Sequence, residues 1–261
     1  MNISIIGGGN LGAAIATGLK QADPSSSISV SRRNVALIRH LEKQDIFTSA
    51  QNTDKLSSAE IIIIAVKPYQ VEEVLKEIAP FIKQQLIVSV VTGVSIERIR
   101  KILGSHATIF RAMPNTAIAQ RESMTCISHE KVEGAQQELI YAMFKKLGDC
   151  VFIEEKLMDS ATVLGASGIA FALRYIRASM QAGIQIGFDA NTALLIAAQT
   201  AKGAATLLLN DTTHPEREID KVTTPKGCTI SGLNEMEHQG FSSALIQGVL
   251  TSYKAIADIQ K

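Results

Sequence analysis

The chain has 261 residues and a hydrophobic content of 46%, enough for one large domain or two ordinary domains with a sizeable core. Its net charge of +1 gives no electrostatic reason to expect a nucleic acid or an anionic membrane as a partner. The three cysteines are far apart, with no CxxC spacing, which argues against a disulfide framework or a zinc site and favours a reducing compartment. We therefore expect a cytoplasmic protein without a bound metal.

Two apolar segments are candidates for targeting or membrane insertion, and the sequence argues against both. The N-terminal run ends at Gly7 after a few residues and has no basic region before it, so we predict a strand rather than a signal peptide. The region over residues 163–186 is interrupted by Arg174, Arg177 and several glycines. A membrane span needs about 20 residues with few charges, so we predict a buried helix here.

The first part of the chain alternates short apolar strands with helical patterns. The runs EIIIIAV from Glu60 and LIVSVV from Leu86 are almost entirely apolar, as in parallel strands that are covered on both faces. In chain order we predict strands over residues 2–6, 28–31, 60–66, 86–91 and 107–113, and helices over residues 11–20, 35–43, 67–78 and 95–103. Alternation of this kind predicts an α/β Rossmann-type domain with a doubly wound parallel sheet.

The loop after the first predicted strand carries the pattern GxGxxG at Gly7, Gly9 and Gly12. The pattern is informative because it follows a strand and opens a helix. Gly7 allows a tight turn, Gly9 lets the backbone approach a pyrophosphate, and Gly12 lets the helix pack close to the sheet. The free N–H groups at the helix N-terminus then favour the phosphates. We predict a dinucleotide site; the alternative is a glycine-rich turn without a ligand.

The end of the second predicted strand indicates which dinucleotide binds. Enzymes that use NAD usually place an acid here for the ribose hydroxyls, whereas this chain has Arg32 and Arg33 after Ser31. Two guanidinium groups suit a 2′-phosphate, so we predict NADP(H) as the preferred cofactor and NAD(H) as the second option. The alternative is a pair of solvated surface arginines.

The sequence pattern changes near Cys150, and after the run VFIEE from Val151 there is no convincing strand signal. Residues 158–186, 191–209 and 241–259 have helical patterns, and the first two are apolar on nearly every face. Such helices must be buried, and a helical region of about 110 residues has little interior for two of them. We predict a nucleotide-binding domain over residues 1–152 and an all-α domain over residues 153–261 that packs against a second copy of the chain. The alternative is a well-packed monomeric helical domain.

Other catalytic motifs are missing from the sequence. It has no P-loop, no HExxH and no GxSxG. The five histidines form no metal-binding spacing, and we expect His40, His106 and His129 on the surface or in loops.

Five segments resemble, in order over almost the whole chain, those of the pyrroline-5-carboxylate reductase family. They are IIGGGNLGAAIATGL from Ile5, AVKP from Ala65, VVTGVSIERI from Val90, RAMPNTA from Arg111, and VTTPKGCTISGLNEMEHQGFSSALIQGV from Val222. The resemblance implies an enzyme that makes L-proline, the last step of proline biosynthesis, by reducing a cyclic imine with NAD(P)H. It also implies a Rossmann domain followed by a helical domain that dimerises, with dimers that often assemble further.

The same resemblance implies a set of cofactor contacts, with residues 91–93 near the nicotinamide ribose. The expected contacts are Gly7, Gly9, Asn10, Leu11, Gly12, Arg32, Arg33, Asn52, Ala65, Val66, Lys67, Pro68, Val91, Thr92 and Gly93. Two assignments stay open. Lys67 is either a phosphate or ribose contact or a lysine at a helix start, and Asn115 is either a turn residue or a ligand.

The substrate loop is expected at residues 224–229, with Thr224 at its start. Gly227, Cys228 and Thr229 precede a helix predicted to begin near Ile230, and their N–H groups suit a small carboxylate. Thr229 is the candidate catalytic residue, with its hydroxyl toward the ring nitrogen; alternatively, it is only the N-cap. The proton comes from Thr229, from water, or from an imine that is already protonated.

The chain departs from the family pattern in this half. Lys226 stands where the family has glycine, Cys228 where it has threonine, and Arg177 where it usually has glutamate. Residues 166–171 read Ala-Ser-Gly-Ile-Ala-Phe instead of Gly-Ser-Gly-Pro-Ala-Tyr. A helix N-terminus lowers the pKa of a thiol, but we expect Cys228 to be a small packing residue rather than a nucleophile or a redox group.

Three other functions stay open. Another NADP-dependent reductase of this architecture, such as one acting on β-hydroxyacids, would need a lysine on the long helix, which has Arg174 and Arg177 but no lysine. A non-catalytic module would bind NADPH without oxidising it. A purely structural helical oligomer would bind no nucleotide.

Overall fold

The structure is a computed structural model that describes residues 1–130, 132, 134–211 and 213–259. The chain forms two compact units. The larger unit comprises residues 1–167 together with the end of the last helix from Ser252, and the smaller unit is Gly168–Thr251. The domain boundary that we expect between residues 152 and 153 stays a prediction.

The larger unit contains one eight-stranded sheet with the strand order β3-β2-β1-β4-β5-β6-β7-β8. The strands are β1 Asn2–Ile6, β2 Ser27–Ser31, β3 Phe47–Ser49, β4 Ile61–Ile64, β5 Leu86–Ser89, β6 Thr108–Met113, β7 Ser123–His129 and β8 Gly148–Phe152. All neighbouring strands are parallel except β6 and β7, which are antiparallel. The predicted α/β Rossmann-type fold is thus confirmed, with a sheet that is mostly rather than wholly parallel.

Strand β4 shows why the sequence folds this way. Its four isoleucines are all almost completely buried. Ile61 and Ile63 pack in one apolar cluster and Ile62 and Ile64 in another, because successive side chains point to opposite faces of a strand. A sheet covered on both faces therefore needs the continuous apolar run that the sequence contains.

Helices cover both faces of this sheet. They are α1 Asn10–Ala22, α2 Val71–Ile78, α3 Ile96–Leu103 and α4 Ala135–Lys145. The helix predicted over residues 35–43 is instead two 3₁₀ helices, Val35–Leu37 and Arg39–Gln44. In a 3₁₀ helix, side chains three residues apart lie on one face, and this geometry buries both Ile38 and Leu41 in the core.

The C-terminal part of the described chain is helical, as predicted. The helices are α5 Met158–Ala161, α6 Gly168–Gln185, α7 Ala190–Asp211, α8 Pro215–Val222, α9 Cys228–His238 and α10 Phe241–Ile259. The predicted helix over residues 158–186 is interrupted by a π-helical segment, Thr162–Ser167.

Helices α6 and α7 pack closely in the smaller unit. A Cβ atom at Gly183 would lie 3.0 Å from the Cβ atom of Ala193, so the small residue permits this approach. The chain reverses at Gly187, which has φ +114°. Asp189 then accepts hydrogen bonds from the N–H groups of Asn191 and Thr192. Hydrogen bonds from Thr192, first from its side chain and then from its N–H, hold the pKa of the Asp189 carboxyl below the ordinary value.

Helix α7 has a large apolar surface that its own chain leaves uncovered. Leu194 and Leu195 are exposed, the latter by 69%. The segment Ala190–Asn210 is long and apolar enough to cross a membrane by length and composition, and only 11% of its apolar window is buried. Exposed apolar surfaces of this kind mark sites of association.

We predict that a charge at this surface prevents association of two copies. Leu194→Asp or Leu195→Asp is expected to shift the protein from dimer to monomer in sedimentation velocity at micromolar concentration, because an unpaired charge buried in an interface costs several kcal/mol. Leu139→Asp, on α4 of the larger unit, is the control and should stay dimeric. A stable, active monomer formed by the unmodified protein would refute this prediction.

Candidate nucleotide and substrate sites

The glycine loop has the geometry that its sequence pattern requires. Gly7 has φ +110°, and a Cβ atom there would lie 2.5 Å from the carbonyl oxygen of Ala65. A Cβ atom at Gly12 would overlap the carbonyl oxygen of Gly7. Apart from Gly9 itself and its two chain neighbours, no residue has an atom within 4 Å of the Cβ position of Gly9. Gly7 and Gly12 thus allow close contacts between backbone segments, while Gly9 leaves open space for a ligand.

The N-terminus of α1 adjoins this open space. Gly9 is the N-cap residue, and no side chain caps the helix. The first turn contains no acidic side chain. Uncapped N–H groups and the positive end of the helix dipole favour an anion, so the loop fits the pyrophosphate of a dinucleotide.

Arg32 lies beside the same loop. Its Nη1 donates a hydrogen bond of 2.7 Å to the carbonyl oxygen of Gly8. The N–H groups of Gly7 and Gly8 donate to the carbonyl oxygen of Ser31, so the end of β2 and the glycine loop are joined directly. A cleft of about 390 Å³ runs along this junction and is lined by Arg32, Gly9 and His40, among others.

Arg33 has a different environment. Its Nη2 lies 2.7 Å from Oε1 of Glu73 on α2, and the two side chains are 72% and 68% exposed. Arg33 is therefore a solvated and ion-paired arginine, while Arg32 is fixed on the loop.

Asn52 is held at the carboxyl end of β2. Its Oδ1 accepts a hydrogen bond of 2.8 Å from the hydroxyl of Ser31, and its Nδ2 donates to Glu77 at 2.8 Å. Glu73 and Glu77 therefore hold two expected cofactor residues, and sequence reasoning missed both acids. Their spacing of four residues on an amphipathic helix places them on one face, which was the available signal.

Two further segments lie at the same edge of the sheet. Residues 65–68 follow β4 and residues 91–93 follow β5. The strands β1, β4 and β5 are neighbours and parallel, so the loops after them meet at the carboxyl edge, where sheets of this kind bind ligands. Gly93 has φ +75°. The structure thus brings together the expected cofactor contacts of the glycine loop, Val66, Thr92 and their neighbours.

The structure gives local contacts for Asn115 and Lys67, the two residues whose assignment stays open. Asn115 is a capping residue, since its Oδ1 accepts from the N–H of Ala117 at 3.0 Å and its Nδ2 donates to the carbonyl of Gly165. Lys67 is the N-cap of the 3₁₀ helix Pro68–Gln70, and its N–H donates to the side chain of Gln70. The lysine therefore starts a helix, and its role toward a cofactor stays a prediction.

The expected substrate loop opens helix α9 two residues earlier than predicted. Gly227 is the N-cap residue, and no side chain caps the helix. A Cβ atom at Gly227 would lie 2.6 Å from Oγ1 of Thr224, and the N–H of Gly227 donates to the Thr224 carbonyl at 2.9 Å. This tight turn fixes the start of the helix, so Thr229 is not an N-cap.

Two further expectations about side chains are wrong. Cys228, the first residue of α9, is exposed rather than packed within this chain. His129 lies in β7, not on the surface or in a loop, with its ring 5.5 Å from that of Phe110 and 5.3 Å from that of Phe152. These rings come from other strands, so sequence neighbours gave no sign of this packing.

Within the described part of the chain, no group of three or more His, Cys, Asp or Glu side chains is arranged to hold a metal ion.

We predict that alanine substitutions at two glycines of the loop have different effects, one on NADPH binding and the other on stability. Gly9→Ala has space for its methyl group, so the melting temperature should hold while the Kd for NADPH rises at least tenfold through the lost backbone approach. Gly12→Ala meets backbone and should lose about 1–3 kcal/mol of unfolding free energy. Thermal denaturation and NADPH fluorescence titration give the two readouts. Unchanged NADPH affinity in Gly9→Ala would contradict the assignment.

Two family models match different parts of the chain. Residues 155–259 match the family model described as pyrroline-5-carboxylate reductase dimerisation. Residues 2–93 match the model described as NADP oxidoreductase, coenzyme F420-dependent.

Individual proteins are similar over nearly the whole chain. Pyrroline-5-carboxylate reductase 2 of Dictyostelium discoideum is 44% identical, over 96% of this chain and 90% of the relative. Pyrroline-5-carboxylate reductase 1 of the same organism is 45% identical over 98% of this chain, which spans about half of that relative, 49%. The crystal structure of a pyrroline-5-carboxylate reductase from Coxiella burnetii has a TM-score of 0.89 at 27% identity, covering 100% of this chain and 98% of that chain.

Proposed function

The chain belongs to the pyrroline-5-carboxylate reductase family, and on this premise we propose that it reduces 1-pyrroline-5-carboxylate to L-proline with NADPH. The observation that carries the proposal is the open space at Gly9 between an uncapped helix N-terminus and Arg32. This arrangement fits a phosphorylated dinucleotide, in a chain whose N-terminal part matches an NADP oxidoreductase family.

The chain's own residues would hold the cofactor at the carboxyl edge of the sheet. The loop over residues 7–12 binds the pyrophosphate at the start of α1. Arg32 binds the 2′-phosphate, with Arg33 and Asn52 beside it. The segments 65–68 and 91–93 contact the riboses. NADPH, when bound, supplies the hydride that reduces the imine carbon.

The substrate residues belong to the turn before α9. The N–H groups of Cys228 and Thr229 bind the carboxylate at an uncapped helix N-terminus. The N–H of Gly227, which the sequence predicts to join them, donates to the Thr224 carbonyl instead. Thr224 shapes this turn, since its hydroxyl oxygen and carbonyl face Gly227. The Thr229 hydroxyl donates to the ring nitrogen, which takes up one proton as the imine carbon gains the hydride. The product is a secondary amine.

We also propose an oligomeric state, a domain boundary and a cellular compartment for the protein. The chain is a homo-oligomer, which the match of residues 155–259 to a dimerisation family supports, and we propose a dimer or a dimer-based assembly. The apolar surface of α7 packs against the second copy rather than in a membrane. The nucleotide-binding domain ends near residue 152, the protein works in the cytoplasm, and it has no nucleic acid partner.

One experiment tests the activity directly. The purified protein is mixed with NADPH, and absorbance is followed with and without pyrroline-5-carboxylate. Oxidation that requires the imine is expected. NADPH binding without oxidation would indicate a non-catalytic module, and no binding at all would indicate a structural oligomer.

We predict that Arg32 sets the preference for NADPH. A hydrogen bond between charged groups contributes about 1.5–3 kcal/mol, so Arg32→Ala should raise the KM for NADPH at least tenfold and leave the KM for NADH nearly unchanged. Arg33→Ala should also raise the KM for NADPH, but by a smaller factor, since Arg33 is solvated and paired with Glu73. Equal effects of Arg32→Ala on both cofactors would exclude a 2′-phosphate contact.

We predict that Thr229→Val lowers kcat/KM by 10- to 100-fold, because the change keeps the shape and removes a hydrogen bond of about 1.5–3 kcal/mol. The Kd for NADPH should hardly change. Cys228→Ala is the adjacent control and should be nearly as active as the unmodified protein. The reverse pattern, with active Thr229→Val and inactive Cys228→Ala, would indicate a different reaction.

A further inference from the structure

Arg111 is a buried cation that the cofactor and substrate sites do not use. It lies in β6 and is only 5% exposed. Its Nη1 donates to Oε1 of Glu155 at 3.0 Å, while Nε and Nη2 are buried without a hydrogen-bond partner. A buried charge with incomplete hydrogen bonding is costly, and an apolar residue at such a position is often as stable or more stable. Stability alone is therefore a poor explanation for this arginine.

The carboxylate of Glu155 makes a second contact with the same oxygen. Oε1 accepts a hydrogen bond of 2.7 Å from the N–H of Ile96, the first residue of α3. An acidic group at a helix N-terminus is favoured by the helix dipole. One carboxylate oxygen thus ties the start of α3 to Arg111 in the sheet.

The contacts of Glu155 with Arg111 and Ile96, called the link below, help to hold the segment between β5 and α3 in place. Ser89 at the end of β5 is the register partner of Arg111 in β6, and the Ser89 hydroxyl accepts from the N–H of Val91 at 3.4 Å. At the other end, the link through Glu155 holds Ile96. Residues 91–95 are therefore fixed at both ends, although Gly93 itself has φ +75°.

We propose that Arg111 and Glu155 are positioning residues that fix residues 91–95 against the nicotinamide ribose. The inference rests on the proposed function, in which this segment contacts the reactive end of the cofactor. A cleft of about 450 Å³ borders the segment and is lined by Gly93 and Ser95 together with Arg111 and Glu155. The pair acts on the cofactor only through the backbone, so it controls where the hydride donor lies more than how tightly NADPH binds.

Glu155→Ala tests the proposal, with Glu154→Ala as the matched control. Glu154 is the adjacent carboxylate, is exposed, and pairs with Lys156. Glu155→Ala should lower kcat about tenfold and change the Kd for NADPH less than threefold, because the pyrophosphate and 2′-phosphate contacts stay in place. Glu155→Gln keeps an oxygen that can accept from Ile96 and should recover part of the lost kcat. Glu154→Ala should behave like the unmodified protein.

Hydrogen exchange in the protein without cofactor gives a second readout. In Glu155→Ala the exchange rates of the amides of residues 91–99 should rise by a factor at least ten times larger than the rise for β1 and α1, which reports the general loss of stability. An equal rise throughout the chain would indicate a purely structural pair, and normal exchange with normal kcat would show that the link is unimportant. Either result overturns the proposal. Failure of the unmodified protein to oxidise NADPH would refute the proposed function, while the exchange experiment would still test the link.

Discussion

The close approach of Gly7 to the carbonyl of Ala65 is the constraint on which the arrangement of the sites depends. Gly7, directly after β1, has φ +110°, and a Cβ atom there would overlap the backbone that follows β4. Gly12 in turn packs on the carbonyl of Gly7. These two contacts set the angle at which α1 leaves the sheet, and hence the place where its uncapped N-terminus meets the carboxyl ends of β1, β4 and β5.

Sequence reasoning succeeded where the determinants are local. The run Ile61–Ile64 indicates a strand buried on both faces whatever surrounds it, and GxGxxG needs only the strand before it and the helix after it. Both features are present as predicted, because each follows from backbone geometry within a few residues. The expected cofactor segments meet for the same reason: strands that are parallel neighbours carry their loops to one edge.

The features that sequence reasoning missed depend on contacts between distant segments. The packing of His129 needs rings from β6 and β8, and the antiparallel pairing of β7 with β6 reverses an otherwise parallel series. The bond from Glu155 to Ile96 spans 59 residues. The start of α9 was misplaced for a more local reason, since the close contact of Gly227 with Thr224 depends on a turn conformation that composition alone does not specify.

A comparison of the Arg33–Glu73 pair with the Arg111–Glu155 pair shows how burial decides the role of a charge. Arg33 and Glu73 are both solvated, and exposed pairs are generally worth about 0–1 kcal/mol. Separating Arg33 from Glu73 therefore costs little, which is compatible with the 2′-phosphate contact proposed for this arginine. Arg111 is buried, so its charge stays with Glu155 in any ligand state, because a buried cation without its partner is strongly unfavourable. The exposed pair can thus separate when a ligand binds, whereas the buried pair stays together and keeps the backbone around it fixed.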